Sequence, residues 1–241
     1  MSFRDKFKTP AIILDRPEFL FDQLPVNELS TTTTEAGRFY DAPSGIKLPS
    51  VTTVLGKSFD DSWLHEWRAK VGEEEATLVS NRAKERGTKI HALIENYLLD
   101  KPDVLAGIDS INPNYQSFLK MKRVIDAHLG KIRGVELPLW SERLKTAGRT
   151  DLCGEWNGVL SIIDWKTSNA LKHQCDIMTY FLQSTCYGLM VEERYPGLRI
   201  PQIVIGIAVD HDEPQFFVSK KNDFLEETLR VFITDRYRNG I

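Results

Sequence analysis

Apolar and polar positions change their period midway along the chain. From Ser62 to Leu129 the apolar residues recur three and four apart, as in the stripe Ile90, Leu93, Ile94, Tyr97 and Leu98, which is the helical period. Ser62 can cap a first helix running to about Val79, Ser80 a second to about Leu99, and Pro113 can open a third to about Leu129. Beyond Lys131 the pattern predicts strands over 131–140, 147–156, 159–166, 201–209 and 214–218, with helices over 176–194 and 222–237. Residues 1–60 hold Pro10, Pro17, Pro25, Pro43 and Pro49 and the run Thr31–Thr34. They read as an irregular or short-stranded segment, packed on the core and covered by later helices. The expected fold class is therefore α/β (α+β), a central mixed sheet with an antiparallel meander flanked by helices. Its parts are the N-terminal segment 1–60, a helical part 61–130 and a sheet core 131–241.

Composition narrows the class without naming a chemistry. The 241 residues are 41% hydrophobic and 27% charged, which argues against disorder and coiled coil. No apolar run approaches the roughly 20 residues of a membrane helix, and Met1-Ser2-Phe3-Arg4-Asp5 lacks a signal-peptide pattern, so a cytoplasmic protein is expected. Cys153, Cys175 and Cys186 form no CxxC pair and cannot build a four-cysteine metal site. Lys plus Arg number 31 against 34 for Asp plus Glu, a net charge of -3, so charge alone would not grip nucleic acid. Distribution matters more. Arg82, Lys84, Arg86 and Lys89 form one basic cluster, and Lys120, Lys122, Arg123, Lys131 and Arg133 a second. Both stand where they could track a phosphate backbone, although charge runs are more often solvated faces.

The most informative stretch runs from Gly148 to Lys166. Asn157-Gly158 is a strong signal for a two-residue type I′ hairpin, because both residues tolerate positive φ. That turn sets Trp156 against Val159 and carries Asp151 opposite Asp164. Opposed residues share a face with Cβ atoms about 4.5–5.5 Å apart, and like charges there are destabilising. Something positive should lie between them. Alternation puts Lys166 on the same face and turns Ile163 and Trp165 away. Two carboxylates and an ammonium thus converge, a set suited to Mg²⁺ or Mn²⁺ and a phosphate. The plain alternative is a charged, solvent-facing hairpin with an Asp-Lys pair.

At these residues the chain resembles the PD-(D/E)XK nuclease superfamily, specifically its RecB-type branch of phage and mitochondrial-maintenance exonucleases. Gly87-Thr88-Lys89-Ile90-His91-Ala92-Leu93-Ile94-Glu95 resembles the helical histidine motif of that branch. Gly148-Arg149-Thr150-Asp151 resembles its first aspartate strand, Ile163-Asp164-Trp165-Lys166-Thr167-Ser168 its D-x-K strand, and Gln183-Ser184-Thr185-Cys186-Tyr187 its Q-x₃-Y helix. Leu48-Pro49-Ser50-Val51-Thr52-Thr53-Val54-Leu55 is similar to the exonuclease subgroup.

The resemblance implies a restriction-endonuclease-like core and a metal-dependent DNA exonuclease working from linear DNA ends, single-stranded or in end processing, in phage-type replication and recombination. It implies one or two Mg²⁺ or Mn²⁺ ions, and since some members of the branch carry an iron-sulfur cluster on four cysteines and this chain has three, no such cluster is expected here. His91, Asp151, Asp164 and the backbone carbonyl of Trp165 would ligate the metal, with Glu136 joining directly or through water. Lys166 would orient the nucleophile, and in-line attack would leave a 5′-phosphate. Gln183 and Tyr187 share one helix face and could position Lys166 or touch a phosphate. Arg82, Lys84, Arg86, Lys89, Arg149, Thr167 and Ser168 are the expected DNA contacts. A separate helicase, polymerase or single-strand-binding protein would be a partner. A structure-specific endonuclease and a non-catalytic DNA-end binding protein remain the competing readings.

Taken singly, several of these residues have plainer roles. His91 on an apolar stripe could be a core-edge histidine paired with Glu95, and Glu136 an ordinary strand residue. Trp63 and Trp67 could stack bases, although core packing is the expected use.

Overall fold

The computed structural model of the chain describes residues 17–59, 62–101 and 111–235. The side chain of Trp63 and the end of the final helix beyond 235, both part of the expectations above, lie outside the described residues.

Five strands form the central sheet: β4 (Leu129–Ser141), β5 (Thr146–Trp156), β6 (Val159–Ser168), β7 (Gln202–Val209) and β8 (Gln215–Lys220), in that spatial order. A smaller sheet holds β1 (Thr31–Thr34), β2 (Gly37–Asp41) and β3 (Lys47–Pro49). The helices are α1 (Val51–Ser58), α2 (Ser62–Val71), α3 (Glu73–Leu98), α4 (Pro113–His128), α5 (Met178–Arg194) and the short α6 (Leu225–Leu229). None among the described residues is long and apolar enough to cross a membrane.

The expected mixed sheet is present. β4, β5 and β6 make the antiparallel meander, β6 and β7 pair in parallel through the α5 crossover, and β8 returns antiparallel. Parallel neighbours require such a crossover, since a tight turn cannot join them. Asn157 and Gly158 adopt φ of 53° and 76°, the left-handed pair of a type I′ turn.

β7 is buried at seven of its eight positions, because helices cover both of its faces. Ile203, Ile205 and Ile207 pack with Phe181, Leu182, Val51 and Val54 under α5 and α1. Val204 and Ala208 pack with Ile90, Ile94 and Phe118 under α3 and α4. In β6, Ile162 joins the α5 side while Ile163 and Trp165 join the α3 side.

Three elements depart from the pattern-based expectation. The helical part breaks at Gly72, whose φ of 91° ends α2, and Ser80 lies inside α3 instead of capping it. The segment before residue 60 is short-stranded, as one of the two expectations had it, but also forms a helix, α1. Its small sheet, with the preceding Leu29, packs through Tyr40 and Leu48 on Trp140 and Ala147 of the main sheet. α1 follows, capped by Ser50 Oγ, which accepts the N–H of Thr53 at 2.9 Å. The expected helix over 222–237 is instead a 3₁₀ turn, α6 and a π turn ending at Asp235.

Candidate metal centre and basic cleft

The site begins where two strands part. The β5–β6 ladder runs from Trp156↔Val159 to Leu152↔Ile163 and stops there, one pair short of the expected pairing of Asp151 with Asp164. β6 continues on β7 to Ser168, and β5 continues on β4 to Thr146. A wedge opens between them. In place of a ladder bond, the N–H of Trp165 donates to Asp151 Oδ2 at 2.7 Å. By alternation Asp151, Asp164 and Lys166 share the α5 side of the sheet. The wedge lets α3, which packs on the opposite face, reach them: His91 Nδ1 lies 3.5 Å from Asp151 Oδ1.

β4 supplies a third group through a backbone kink. Glu136 has φ of 49°, uncommon for a residue with a Cβ, and it sits within a strand. The kink resets the strand's alternation. Val135 packs on the α3 side, and Leu137, two residues on, packs on the α5 side. His91, Glu136 and Asp151 each bring a ligating atom within 4.8 Å of the others. The two carboxylates are hard oxygen donors of the type that holds Mg²⁺ or Mn²⁺, and the imidazole adds one borderline nitrogen, which suits Mn²⁺ better than Mg²⁺.

Asp164 stands beside this trio and is not one of it. It is 1% exposed, and Lys166 Nζ forms an ion pair with its Oδ2. Gln183 Nε2 of α5 donates to its Oδ1 at 3.2 Å. Oδ2 accepts no hydrogen bond of good geometry among the described residues. The Lys166 ammonium is the cation that compensates this buried oxygen. The donors that fit a divalent ion are those of His91, Glu136 and Asp151.

Electrostatics separate the groups by role. Burial pushes Glu136 up to about 7, and the neighbouring charges of Asp151 and Glu95 add to the shift. Burial also pushes Asp164 up, to about 6, against the opposing pull of Lys166. Asp151 moves the other way: burial would raise it, but the His91 hydrogen bond and charge, with Lys166, hold it ionised. For Lys166 burial favours the neutral amine, and the carboxylates of Asp164 and Asp151 more than reverse that, so it stays an ammonium. His91 is likewise raised: burial lowers it, and Asp151 and Asp164 outweigh burial. Burial keeps the Cys153 and Cys186 thiols and the Tyr187 phenol protonated.

The remaining expected residues divide. Gln183 meets Asp164 and not Lys166. Tyr187 is buried beneath β5, where a Cβ on Gly148 would fall 2.7 Å from its ring and hydroxyl. Glu95 pairs with Lys101 and not His91. Arg86 turns inward: Nη1 bonds Asp210 at 2.5 Å, and Nη2 donates to the carbonyls of Ser168 and Ala208. It fastens α3 to the sheet through three acceptors. Arg149 is committed to Glu28 and the Glu136 carbonyl. Lys89 pairs with Glu85 on the surface, while Arg82 and Lys84 are exposed. The second basic cluster is largely neutralised, by Asp126 at Lys122, Glu213 at Arg123 and Asp22 at Arg133.

Sequence reasoning missed Tyr180 and Lys172. The Lys166 ammonium lies 5.1 Å from the Tyr180 ring centroid, and both missed residues line a cleft beyond Thr167 and Ser168.

Fold and cluster together define a mixed α/β protein with a candidate divalent-cation centre in a splayed hairpin. The similarities found to known proteins are distant. No protein-family model matches the chain. It is 24% identical over 132 residues to mitochondrial genome maintenance exonuclease 1 of Mus musculus, a match covering 52% of this chain. The match spans 38% of that relative's length. A crystal structure of a Eubacterium rectale protein, provisionally assigned as an exonuclease, aligns with a TM-score of 0.41 at 16% identity. That alignment covers 64% of this chain and 68% of the other.

Proposed function

We propose that this chain is a divalent-metal-dependent deoxyribonuclease of the PD-(D/E)XK type that hydrolyses DNA from its ends. The observation that carries this reading is the convergence of His91, Glu136 and Asp151 beside the Asp164–Lys166 ion pair. The similarity to a mitochondrial exonuclease supports DNA as the substrate.

His91, Glu136 and Asp151 would hold a Mg²⁺ or Mn²⁺ ion, with Asp164 at its margin. A bound ion supplies Lewis acidity at the phosphate and acidifies a water. The protein's own groups do the positioning. The Trp165 N–H fixes the Asp151 carboxylate, and the Gln183 amide fixes Asp164. Lys166, held as an ammonium, orients the attacking water and offsets charge building on the phosphate oxygens. It cannot serve as a general base in that state. Arg82, Lys84 and Thr167 would meet the backbone of the substrate strand, while the Ser168 hydroxyl is turned to the Ala170 carbonyl.

The test is digestion of end-labelled linear single- and double-stranded DNA by the purified chain with Mg²⁺, with EDTA and with a closed circular control. Linear DNA is expected to be degraded from its ends, EDTA to stop the reaction, and Asp164→Ala or Lys166→Ala to abolish it with the circular-dichroism spectrum unchanged. Undiminished digestion by either variant would overturn the reading. Cleavage of the closed circle would assign an endonuclease instead.

A further inference from the structure

Beyond the metal centre a second recess opens between α3 and the chain leaving β6. It measures about 470 Å³ and is lined by Val79, Arg82 and Ala83 of α3, Thr167 at the end of β6, Lys172, and Tyr180 of α5. Arg86 and Asp210 also reach its wall, but they neutralise each other there. The Asp210 carboxylate therefore does not set the sign of the recess. Arg82 and Lys172 do. Neither side chain forms an ion pair or hydrogen bond among the described residues, and no carboxylate other than the paired Asp210 lines the recess. Two cations bordering one small volume, Lys172 acting only at a distance on the Asp176 carboxylate, form a candidate anion subsite.

The rest of the lining suits a base and sugar. Val79 and Ala83 are four apart on one helix face and offer an apolar wall. Tyr180 presents an aromatic ring from the opposite side, a surface on which any base can stack. The volume lies at the lower end of the range for small-molecule sites, enough for one nucleotide.

Position links the recess to the metal centre. The Tyr180 ring that lines it is the ring over which the Lys166 ammonium sits. Ser168, on its floor, follows Lys166 by two residues, about 6.6 Å along the strand. The recess and the metal centre therefore share the end of one strand and one aromatic wall.

We infer that this recess seats a single nucleotide unit, the one adjoining the phosphodiester held at the metal centre, with Arg82 and Lys172 gripping its phosphate. The inference rests on the nuclease reading for its placement. The ligand chemistry, a phosphate joined to a nucleoside, is shared by the end of a DNA strand and by a released mononucleotide.

Titration of the full chain in EDTA tests it without turnover. The probes are deoxyadenosine 5′-monophosphate, deoxyadenosine, inorganic phosphate and a short single-stranded oligonucleotide. The mononucleotide is expected to bind at least about tenfold more tightly than the nucleoside or phosphate alone, and to displace the oligonucleotide. In the Arg82→Ala/Lys172→Ala variant the mononucleotide should weaken at least about tenfold, and the oligonucleotide's salt slope should shrink by about 1.4. Arg82→Lys should restore part of the affinity. Equal binding of nucleotide and nucleoside, or variant affinity matching wild type, would overturn the assignment. Variant-sensitive oligonucleotide binding without mononucleotide binding would also overturn the one-nucleotide seat. Because the readout needs neither metal nor cleavage, it can fail while the nuclease reading stands, and the reverse.

Discussion

The backbone N–H of Trp165 donates to the carboxylate of Asp151 across the point where β5 and β6 stop pairing. A side chain thus takes the place of a ladder carbonyl, and the sheet's own hydrogen-bonding need orients a candidate metal ligand. Asp151→Asn can keep an acceptor for that N–H while losing the charge, so the fold should persist. Divalent-ion affinity should fall at least about 100-fold, read by Mn²⁺ titration.

Gln183 holds Asp164 from α5. Gln183→Ala should leave the protein folded and lower nuclease turnover by about 10–100-fold, the usual cost of removing a group that orients a ligand. The measurement is kcat against KM for an oligonucleotide, with the loss expected in kcat.

Arg86 ties α3 to the C-terminal ends of β6 and β7, and His91 rides on that helix five residues on. Arg86→Lys keeps one charge but cannot bond Asp210 and both carbonyls together. It should cost roughly 1–3 kcal/mol of stability by urea unfolding. The Mn²⁺ concentration for half-saturation should rise as well, since the helix bearing His91 is loosened.

Glu136 is raised to about 7 by burial and by the charges of Asp151 and Glu95. Its folded form binds a proton that its unfolded form has released above about 4.5, so the metal-free protein should lose stability as pH climbs from about 4.5 to about 7. Asp164 and His91, also raised, act in the same direction. Thermal unfolding in EDTA should show Tm falling across this window, and Glu136→Gln should reduce the slope. Divalent-ion affinity should run the opposite way, rising as Glu136 ionises.

Gly148 lets Tyr187 lie flush beneath β5. Gly148→Ala would place a methyl 2.7 Å from the ring and should destabilise by about 1–3 kcal/mol, read by denaturant unfolding.

The carboxylate–lysine patch was legible because one turn type determines which residues face one another. Asn157-Gly158 set the register, and alternation put Asp151, Asp164 and Lys166 on one side. The role of Glu136 was harder to see, since it depends on a left-handed residue inside a strand, which no pattern of apolar positions announces. Arg86 carried an overlooked signal. It stands four residues before Ile90 and eight before Ile94, on the stripe that faces the sheet, so its inward turn follows from helical phase. Gly72 was a similar case, a glycine that ends a helix where the serine downstream had been weighed as a cap. Tyr180 left no trace, because its nearness to Lys166 arises from the crossover that brings α5 back against β6, and Lys172 lies in the irregular chain between those two elements.

The type I′ turn also constrains how this hairpin can change length. Successive strand residues face opposite ways, so removing one residue from either arm puts one aspartate on the wrong side of the sheet. Removing one from each arm keeps the two together but delivers both to the face beneath α4. Only a change of two residues per strand returns them to the wedge. Variation in hairpin length compatible with the site is therefore quantised in steps of four residues, and the spacing from Asp151 to Asp164 behaves less like a loop length than like a tooth count.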